Sequence, residues 1–370
     1  MTWADFVGNS RVVGVLQRML SSGRVPPALL FAGQKGVGKF TLATLFARAA
    51  NCEQKGKDSC GRCQSCQTLE ALDDLPGLRK AALDARGSAN PEAVPLILRP
   101  HPNVTVLVPD GAFIRVSQMR YVVRQSYNVP TGGGRAVFLI DQAERLRFDF
   151  ADVLLKVLEE PPDRTTLILI TSEPFRLRPT IRSRCIPVHF APLSSAQIES
   201  HLQQQRPKWK KTERELAAAV AAGSLATALT LDLDLYRQVR RSALELLRAS
   251  LRGEFDPERL FAATAQLAGK GSAETRETED SGSKRERFDF VLEVVYGLIN
   301  DVLYLRSGVS ELRLRNPDIQ GELERAAGSV EGEGLNRLVK KLDRIEGWQR
   351  QNINRQLALD AVALAPRRVL

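Results

Sequence analysis

Two kinds of hydrophobic pattern divide this chain. In the first half, short and largely apolar runs alternate with segments of helical spacing, and the runs cover 28–32, 104–108, 136–140, 166–171 and 186–190. Continuous apolar runs are typical of strands that are buried on both faces, and helices between such strands indicate a parallel sheet with helices on both sides. The pattern therefore predicts an α/β domain over residues 1–191.

From Ser194 onward, helical spacing prevails. Segments 194–204, 212–222 and 224–231 predict a small three-helix domain over 192–231, and 234–267, 288–306 and 335–364 predict longer helices in a domain over 232–370. The last of these segments is predicted to be a helix pair that bends near 352–354. Between the segments 234–267 and 288–306, residues 269–287 include no apolar residue larger than alanine, which predicts a disordered loop. Segment 67–100 is predicted to be a partly helical insertion of unassigned function.

A glycine-rich stretch, Gly33 to Thr41, follows the first apolar run and opens a helical segment. Strand, glycine loop and helix in this order are the context of a phosphate-binding P-loop. Gly33, Gly36 and Gly38 let backbone N–H groups point inward, and Lys39 would reach the β- and γ-phosphates. Phe40 stands where the pattern needs a Ser or Thr hydroxyl for Mg²⁺.

Asp141 follows the apolar run 136–140, as in the Walker B pattern, where such an aspartate would hold Mg²⁺. The next residue is Gln142, an amide that cannot act as a base, and Glu144 is too far along the chain to be assumed a substitute. Thr171 ends the following strand, where its hydroxyl could sense a γ-phosphate or cap a turn. Phe40 and Gln142 are therefore two separate defects in one predicted site.

Four of the five cysteines lie close together in the sequence, at Cys52, Cys60, Cys63 and Cys66. Two overlapping C-x₂-C steps bring thiolates together, and Cys52 can complete a tetrahedral site with four sulfur ligands. Such a site leaves no coordination position open for catalysis, so we predict structural zinc. Unliganded surface thiols are the alternative that this density disfavours.

Composition adds three expectations. The chain is 43% hydrophobic and 26% charged, with a net charge of +10 and a pI of about 9.6, which suggests a polyanion such as nucleic acid nearby. No stretch reaches the length of a membrane-spanning helix, and the first residues lack the build of a signal peptide, so we predict a cytoplasmic location without membrane contact. The basic run 176–184 is either a solvated surface or part of an interface.

Together these motifs resemble the AAA+ clamp-loader family of bacterial DNA polymerase III over nearly the whole chain. The segments that carry the resemblance are 33–39, the four clustered cysteines, His101-Pro102, Asp141, 154–162 (Leu-Leu-Lys-Val-Leu-Glu-Glu-Pro-Pro), 171–174, Ser183-Arg184-Cys185 and 352–359. The resemblance implies an AAA+ P-loop domain over 1–191 with a zinc module at about 51–68, a helical lid over 192–231 and a helical collar over 232–370.

Within that family, three departures favour the delta-prime type of subunit, which does not hydrolyse ATP, over the ATP-hydrolysing gamma/tau type. They are Phe40, Gln142 and Ala226, the last in a segment where gamma/tau subunits place a phosphate-contacting Arg. The alternative is a gamma/tau-type motor in which Thr41 replaces the missing hydroxyl, although adjacent helix positions point about 100° apart. The residues leave open whether ATP and Mg²⁺ still bind without turnover.

The resemblance also implies a role in trans for Arg184, as an arginine finger in the ATP site of a neighbouring subunit. Implied partners are gamma/tau and delta subunits in a pentameric ring held by the C-terminal helices, the sliding clamp, and primed DNA bound by the assembled ring during replication. A zinc-dependent nucleic-acid-binding protein unrelated to polymerase is a further hypothesis, but it leaves the Walker and Ser-Arg-Cys segments unexplained.

Overall fold

The computed structural model describes residues 2–54, 56, 58–146, 152–252, 256–268, 281–308, 314–328, 332–348 and 354–364. These residues form two compact units. The first unit comprises 1–197 with 223–226, and the second comprises 198–222 with 227–370.

A six-stranded sheet forms the centre of the first unit in the described part of the chain, in the order β2-β3-β4-β5-β1-β6. Its strands are β1 (Ala28–Ala32), β2 (Leu98–His101), β3 (Val104–Leu107), β4 (Ala136–Ile140), β5 (Thr165–Thr171) and β6 (Ile186–His189). All neighbouring strands run parallel except β2, which pairs antiparallel with β3. The predicted α/β class is confirmed, and the sheet is parallel except at β2.

Both faces of the sheet are buried along β1, β3, β4 and β5, as the continuous apolar runs predicted, whereas the edge strand β6 is exposed except at Val188. Along β1, Leu29 and Phe31 belong to one hydrophobic cluster, whereas Ala28 and Leu30 belong to another. Because successive side chains of a strand point to opposite faces, these two clusters are the two layers that cover the sheet. The helices of this half of the chain are α1 (Ser10–Ser21), α2 (Lys39–Ala50), α3 (Gln64–Thr68), α4 (Leu75–Arg86), α5 (Val116–Ser126), α6 (Asp152–Glu159) and α7 (Pro179–Arg182).

The rest of the chain is helical in the residues described. Its helices are α8 (Ser195–Gln205), α9 (Lys211–Val220), α10 (Leu225–Thr230), α11 (Leu233–Arg252), α12 (Pro257–Leu267), α13 (Ser281–Ser307), α14 (Gln320–Gly328), α15 (Gly332–Trp348) and α16 (Arg355–Leu364). In the second unit, α11 packs against α12, α13 and α16, and α13 packs against α14 and α15. No helix among the residues described is both long and apolar enough to cross a bilayer.

A buried polar network of the second unit joins α11 and α13 to the segment that precedes α14. The Asp301 carboxylate on α13 accepts hydrogen bonds from the backbone N–H and the side-chain Nδ2 of Asn316, at 2.9 and 2.8 Å. The Asn316 Oδ1 in turn accepts from the Tyr236 hydroxyl of α11 at 2.5 Å, and Arg240 pairs with Asp318 at 2.6 Å. Burial raises the pKa of Asp301, since its hydrogen bonds only partly offset the loss of water.

Two predictions about elements are wrong. The predicted helix 234–267 is two helices, because Asp256 accepts from the Glu258 N–H at 2.9 Å and Pro257 begins α12. The predicted disordered loop does not extend to 287, because α13 already begins at Ser281, and the rest of that loop, 269–280, lies outside the described residues. Lys, Arg and Glu are good helix formers, so a polar segment can extend a neighbouring helix.

The sheet also holds a strand that the sequence did not predict. β2 lies in the Pro-punctuated part of the insertion and adds an antiparallel edge to a sheet predicted as parallel. Helix α6 is described from Asp152 onward, since 147–151 lie outside the described residues, and so do 352 and 353 of the predicted bend. Helix α14 was likewise not predicted.

Candidate functional site

The P-loop connects β1 to α2 and has the backbone that its glycines predict. Gly33, Gly36 and Gly38 have φ angles of 155°, 80° and 90°, in the region that favours glycine. Gly38 is the residue directly before α2, so the loop ends at the positive end of that helix. The loop after β1 therefore has the backbone conformation that the predicted phosphate site needs.

Side chains of the same unit press closely on that cradle. A Cβ at Gly36 would overlap with the Ser224 hydroxyl, and a Cβ at Gly38 would lie 2.8 Å from the Phe6 ring. The backbone N–H of Ala226 donates to the Gly36 carbonyl at 3.2 Å. Residues 223–226 and the N-terminal Phe6 thus contact the loop directly, and the methyl group of Ala226 stands where a phosphate-contacting arginine was expected.

Lys39 is buried and binds the loop itself. Its Nζ donates to the carbonyls of Gly33 at 2.6 Å and Gln34 at 2.7 Å. Burial lowers the pKa of Lys39, and the carboxylates of Glu144 and Asp141 oppose that shift. The ammonium group therefore satisfies two backbone carbonyl groups of the loop, and the negative charges of Glu144 and Asp141 act on it.

The two residues after Lys39 do not supply an aligned hydroxyl. The Phe40 side chain is partly buried and packs against the hydrophobic cluster that contains Leu42 and Phe46. Thr41 is the next residue of α2, so helix geometry turns its side chain by about 100° from that of Phe40. Phe40 thus has a packing role at the position where the motif needs a Mg²⁺ ligand.

Acidic groups follow β4. Asp141 is partly buried, and burial raises the pKa of its carboxyl group, with a further contribution from Glu144. Glu144 accepts a hydrogen bond from the Ser172 hydroxyl at 3.2 Å, and its other oxygen is buried without a hydrogen-bond partner among the residues described. Sequence reasoning set Glu144 aside, yet a single 3₁₀ turn over Ala143–Arg145 brings it near Asp141.

Thr171 ends β5 and caps a turn. Its hydroxyl oxygen accepts the backbone N–H of Glu173 at 3.0 Å, which is the second of the two roles that the sequence left open. This bond leaves the hydroxyl hydrogen available to another acceptor, because the oxygen is only an acceptor in it.

The cysteine cluster brings its four sulfur atoms together as predicted. The Sγ atoms of Cys52, Cys60, Cys63 and Cys66 lie within 4.8 Å of one another. A tetrahedral zinc ion with bonds of 2.3 Å needs sulfur separations of about 3.8 Å, so the cluster fits such an ion with little movement. Burial raises the pKa of Cys66 to about 12, whereas backbone N–H groups of Arg62 and Cys63 lower that of Cys60 to about 6.

His101 joins this cluster to the sheet. Its Nδ1 accepts the backbone N–H of Asn103 at 3.1 Å, so Nε2 carries the hydrogen and donates to the Ser65 hydroxyl at 3.2 Å. Ser65 lies between two of the cysteines. The imidazole therefore supports the module that would hold the predicted metal.

Arg184 lies in the arginine loop, which we define as residues 173–185. Its guanidinium pairs with the Glu159 carboxylate at 2.7 Å and donates to the Thr180 carbonyl at 2.9 Å, and its side chain remains 36% exposed. Cys185 beside it is buried in the second hydrophobic cluster, where burial raises its pKa to about 12. The Leu-Glu-Glu-Pro-Pro and Ser-Arg-Cys motifs thus meet in one contact.

Comparison with known proteins agrees with these motifs. The family model described as DNA polymerase III, delta subunit, matches residues 8–79 and 91–194. The delta' subunit of Pseudomonas aeruginosa is 32% identical over 229 residues, which are 61% of this chain and 61% of that protein. The delta' subunit of Bacillus subtilis is 30% identical over 53% of this chain and 51% of its own length.

The chain belongs to the DNA polymerase III clamp-loader family. The tau subunit of Escherichia coli is also similar, at 31% identity over 62% of this chain and 32% of its own length. Since delta' and tau relatives match equally well, the comparison shows the clamp-loader family and not the type of subunit. The chain spans between a third and three fifths of these relatives.

Among solved structures, a gamma subunit-related protein of Thermotoga maritima is similar to 95% of this clamp-loader chain, at 17% identity and a TM-score of 0.41. At that score the likeness carries no argument. The AAA+ class agrees with the structure of the chain itself, in which a P-loop follows the first strand of the sheet and a series of helices follows the sheet.

The structure brings together most of the residues that were predicted for the P-loop site. The P-loop, Asp141 and Ala226 meet at one edge of the sheet, through the contacts and charges described above. The contacts described for Arg184 are with Glu159 and Thr180 rather than with the P-loop. Four contacting groups were not predicted, namely Phe6, Ser224, Glu144 and Glu159, because neighbours in space leave no signal in the spacing of one sequence.

Proposed function

We propose that this chain is the delta-prime-type subunit of the DNA polymerase III clamp loader. In this role it does not hydrolyse ATP itself, and it helps to load the sliding clamp onto primed DNA during replication. It supplies Arg184 to the ATP site of a neighbouring gamma/tau subunit. The observation that carries the proposal is a P-loop whose Mg²⁺ position is a core-packed Phe40, while Arg184 stays half-exposed on a rigid loop.

Three features of the P-loop site oppose turnover of ATP there. The hydroxyl for Mg²⁺ is absent at Phe40, Gln142 offers no base next to Asp141, and Ala226 offers no cation. Phe6 and Ser224 also press on the glycines that would receive phosphate oxygens. A P-loop that does not support ATP hydrolysis still has a structural role, because its backbone joins β1 to α2.

Arg184 has the features of a group that acts outside its own unit. Its guanidinium is accessible, its backbone is anchored by buried neighbours, and its pairing with half-exposed Glu159 is weak enough to exchange for a phosphate. An arginine finger stabilises the charge that develops on a transferring phosphoryl group, at a gain of roughly 10³–10⁵ in rate. The partners that follow are gamma/tau and delta subunits in a pentameric ring.

The cysteine module and the two helical domains would have roles in structure and assembly. Structural zinc at Cys52, Cys60, Cys63 and Cys66 would hold the insertion together, with no part in chemistry. The lid over 192–231 and the collar over 232–370 would carry the ring contacts. DNA would be bound by the assembled ring, to which the net charge of +10 contributes a favourable field.

A second candidate is an ATP-hydrolysing subunit of gamma/tau type. Glu144 favours it, because one oxygen of this carboxylate is buried without a hydrogen-bond partner among the described residues and its charge acts on Lys39 and Asp141. ATP turnover by the isolated chain that is lost on both Lys39→Ala and Glu144→Gln substitution would establish this candidate.

Reconstitution of the loader tests the first candidate. The isolated chain should show no ATPase above background, and Arg184→Ala should lower the clamp- and DNA-stimulated ATPase of the reconstituted complex. Arg99→Ala is the matched control, because Arg99 is exposed on β2, at the opposite edge of the sheet from β6, the strand that follows the arginine loop. An Arg184→Ala loader as fast as wild type would remove the finger role.

A further inference from the structure

The arginine loop presents a large aromatic ring to solvent. Phe175 is 87% exposed, whereas most large apolar side chains of the first unit are buried. Exposing an aromatic ring of this size to water is unfavourable, and a contact surface that covers it in an assembly would offset that cost. Phe175 is separated from Arg184 by only the short helix α7 and its flanks.

The backbone beneath this ring is fixed. Leu177, Ile181 and Cys185 are each at most 6% exposed and belong to the second hydrophobic cluster. Pro174 begins a 3₁₀ turn and Pro179 begins α7, so the loop has little freedom of its own. A protrusion ordered in advance loses little entropy on binding, which favours a specific docking role.

The charges around the ring favour an anionic partner. The loop holds four arginines and a single glutamate, and the Arg182 guanidinium lies 4.9 Å from the centre of the Phe175 ring. Arg176 pairs with Glu173 at 3.2 Å, and Arg184 pairs with Glu159 at 2.7 Å. Aromatic and arginine side chains side by side are the residues most enriched at the energetic centres of protein interfaces.

We infer that the Phe175–Arg182 pair anchors the chain on the nucleotide-bearing face of a neighbouring P-loop subunit. The ring would enter an apolar recess of that face, and the arginines would lie toward its anionic, triphosphate-binding part. The inference rests on the proposed function, because it places this anchor beside Arg184 on the same rigid loop. It assigns affinity to Phe175 and rate to Arg184.

A protein partner fits this loop better than nucleic acid does. Arg182 lies over one face of the Phe175 ring, so only the other face is open to a stacked base, and a second aromatic platform for successive bases is absent from the described residues 173–185. Carboxylates already pair with Arg176 and Arg184, so these cations form a patterned surface rather than a uniform basic groove.

A titration separates the two roles. The ATPase of the gamma/tau subunit from the same organism, with the remaining loader subunits, clamp and primed DNA present, is measured as this chain is added. Phe175→Ala should raise the half-saturating concentration by about tenfold, the loss typical of an interface aromatic, and should reach the wild-type plateau. Val129→Ala is the matched control, since Val129 is 90% exposed in the same unit and should leave the curve unchanged.

Each alternative outcome is distinct. A Phe175→Ala curve that overlaps the wild-type curve, or an equal shift from Val129→Ala, overturns the inference. Binding of single-stranded DNA by the isolated chain that is abolished by Phe175→Ala also overturns it, in favour of a nucleic-acid surface. An unchanged plateau for Arg184→Ala, with the Phe175→Ala shift still present, removes the finger role and leaves the docking role supported.

Discussion

At the scale of single residues, the contact between Glu159 and Arg184 relates two motifs that lie 25 positions apart. The carboxylate orients a guanidinium that the proposal sends to a neighbouring subunit. Because both side chains are more than a third exposed, the pair contributes less than about 1 kcal/mol to folding. We therefore expect the pair to orient the Arg184 guanidinium rather than to stabilise the fold.

Replacement of Glu159 by Ala tests this positioning role. We expect a change of less than about 1 kcal/mol in the free energy of unfolding, because the pair is exposed to solvent. The stimulated ATPase of the reconstituted loader should fall, but by less than it falls with Arg184→Ala, because the guanidinium is still present. Urea unfolding and steady-state ATPase assays give the two quantities, and an ATPase rate equal to wild type would argue against a positioning role.

His101 gives a prediction on pH. Burial lowers its pKa below the ordinary value of 6.5, and its Nδ1 faces a backbone donor that an imidazolium would repel. The folded state therefore binds this proton more weakly than the unfolded state, so the stability from neutral His101 is complete above pH 6.5 and is lost as the pH falls below it.

The variant His101→Asn retains an acceptor near Nδ1 without a titrating group. Its urea midpoint should fall less than that of wild type between pH 7.5 and pH 5.5. Because protonation of the cysteines affects both proteins alike, the difference between the two curves isolates the imidazole. Parallel curves would show that His101 does not titrate across the unfolding transition in this range.

At the scale of elements, the sequence predicted the strands that are continuous apolar runs, because their burial is written into every residue. It did not predict β2, whose residues Leu98 to His101 are half polar and take a strand conformation only through pairing with β3. It also placed the start of α13 too late, because polarity alone does not exclude a helix.

The cysteine module is an element whose stability depends on its ligands. We expect one zinc ion per chain by metal analysis, and a lower melting temperature after removal by a strong chelator, since metal binding and local folding are coupled. Cys60→Ser should lower both the zinc content and the melting temperature. Cys185→Ser is the matched control, because Cys185 lies outside the cluster and should leave the zinc content unchanged.

At the scale of the whole molecule, the sequence motifs predicted the α/β class, the cysteine cluster and the position of the P-loop at the end of the first strand. The groups that press on the P-loop, Phe6 and Ser224, come from opposite ends of the first unit's sequence, so no local pattern could reveal them. The same holds for Glu144, whose approach to Asp141 depends on a left-handed Gln142 with φ of 52°.

We propose that this chain contributes an arginine and no ATP turnover of its own to the loader. Two variants of the reconstituted complex, Lys39→Ala and Arg184→Ala, are compared by clamp- and DNA-stimulated ATPase at saturating ATP. We expect a wild-type rate for Lys39→Ala and a reduced rate for Arg184→Ala, because only the second residue acts at a working site. A reduced rate for Lys39→Ala beside a wild-type rate for Arg184→Ala would contradict it.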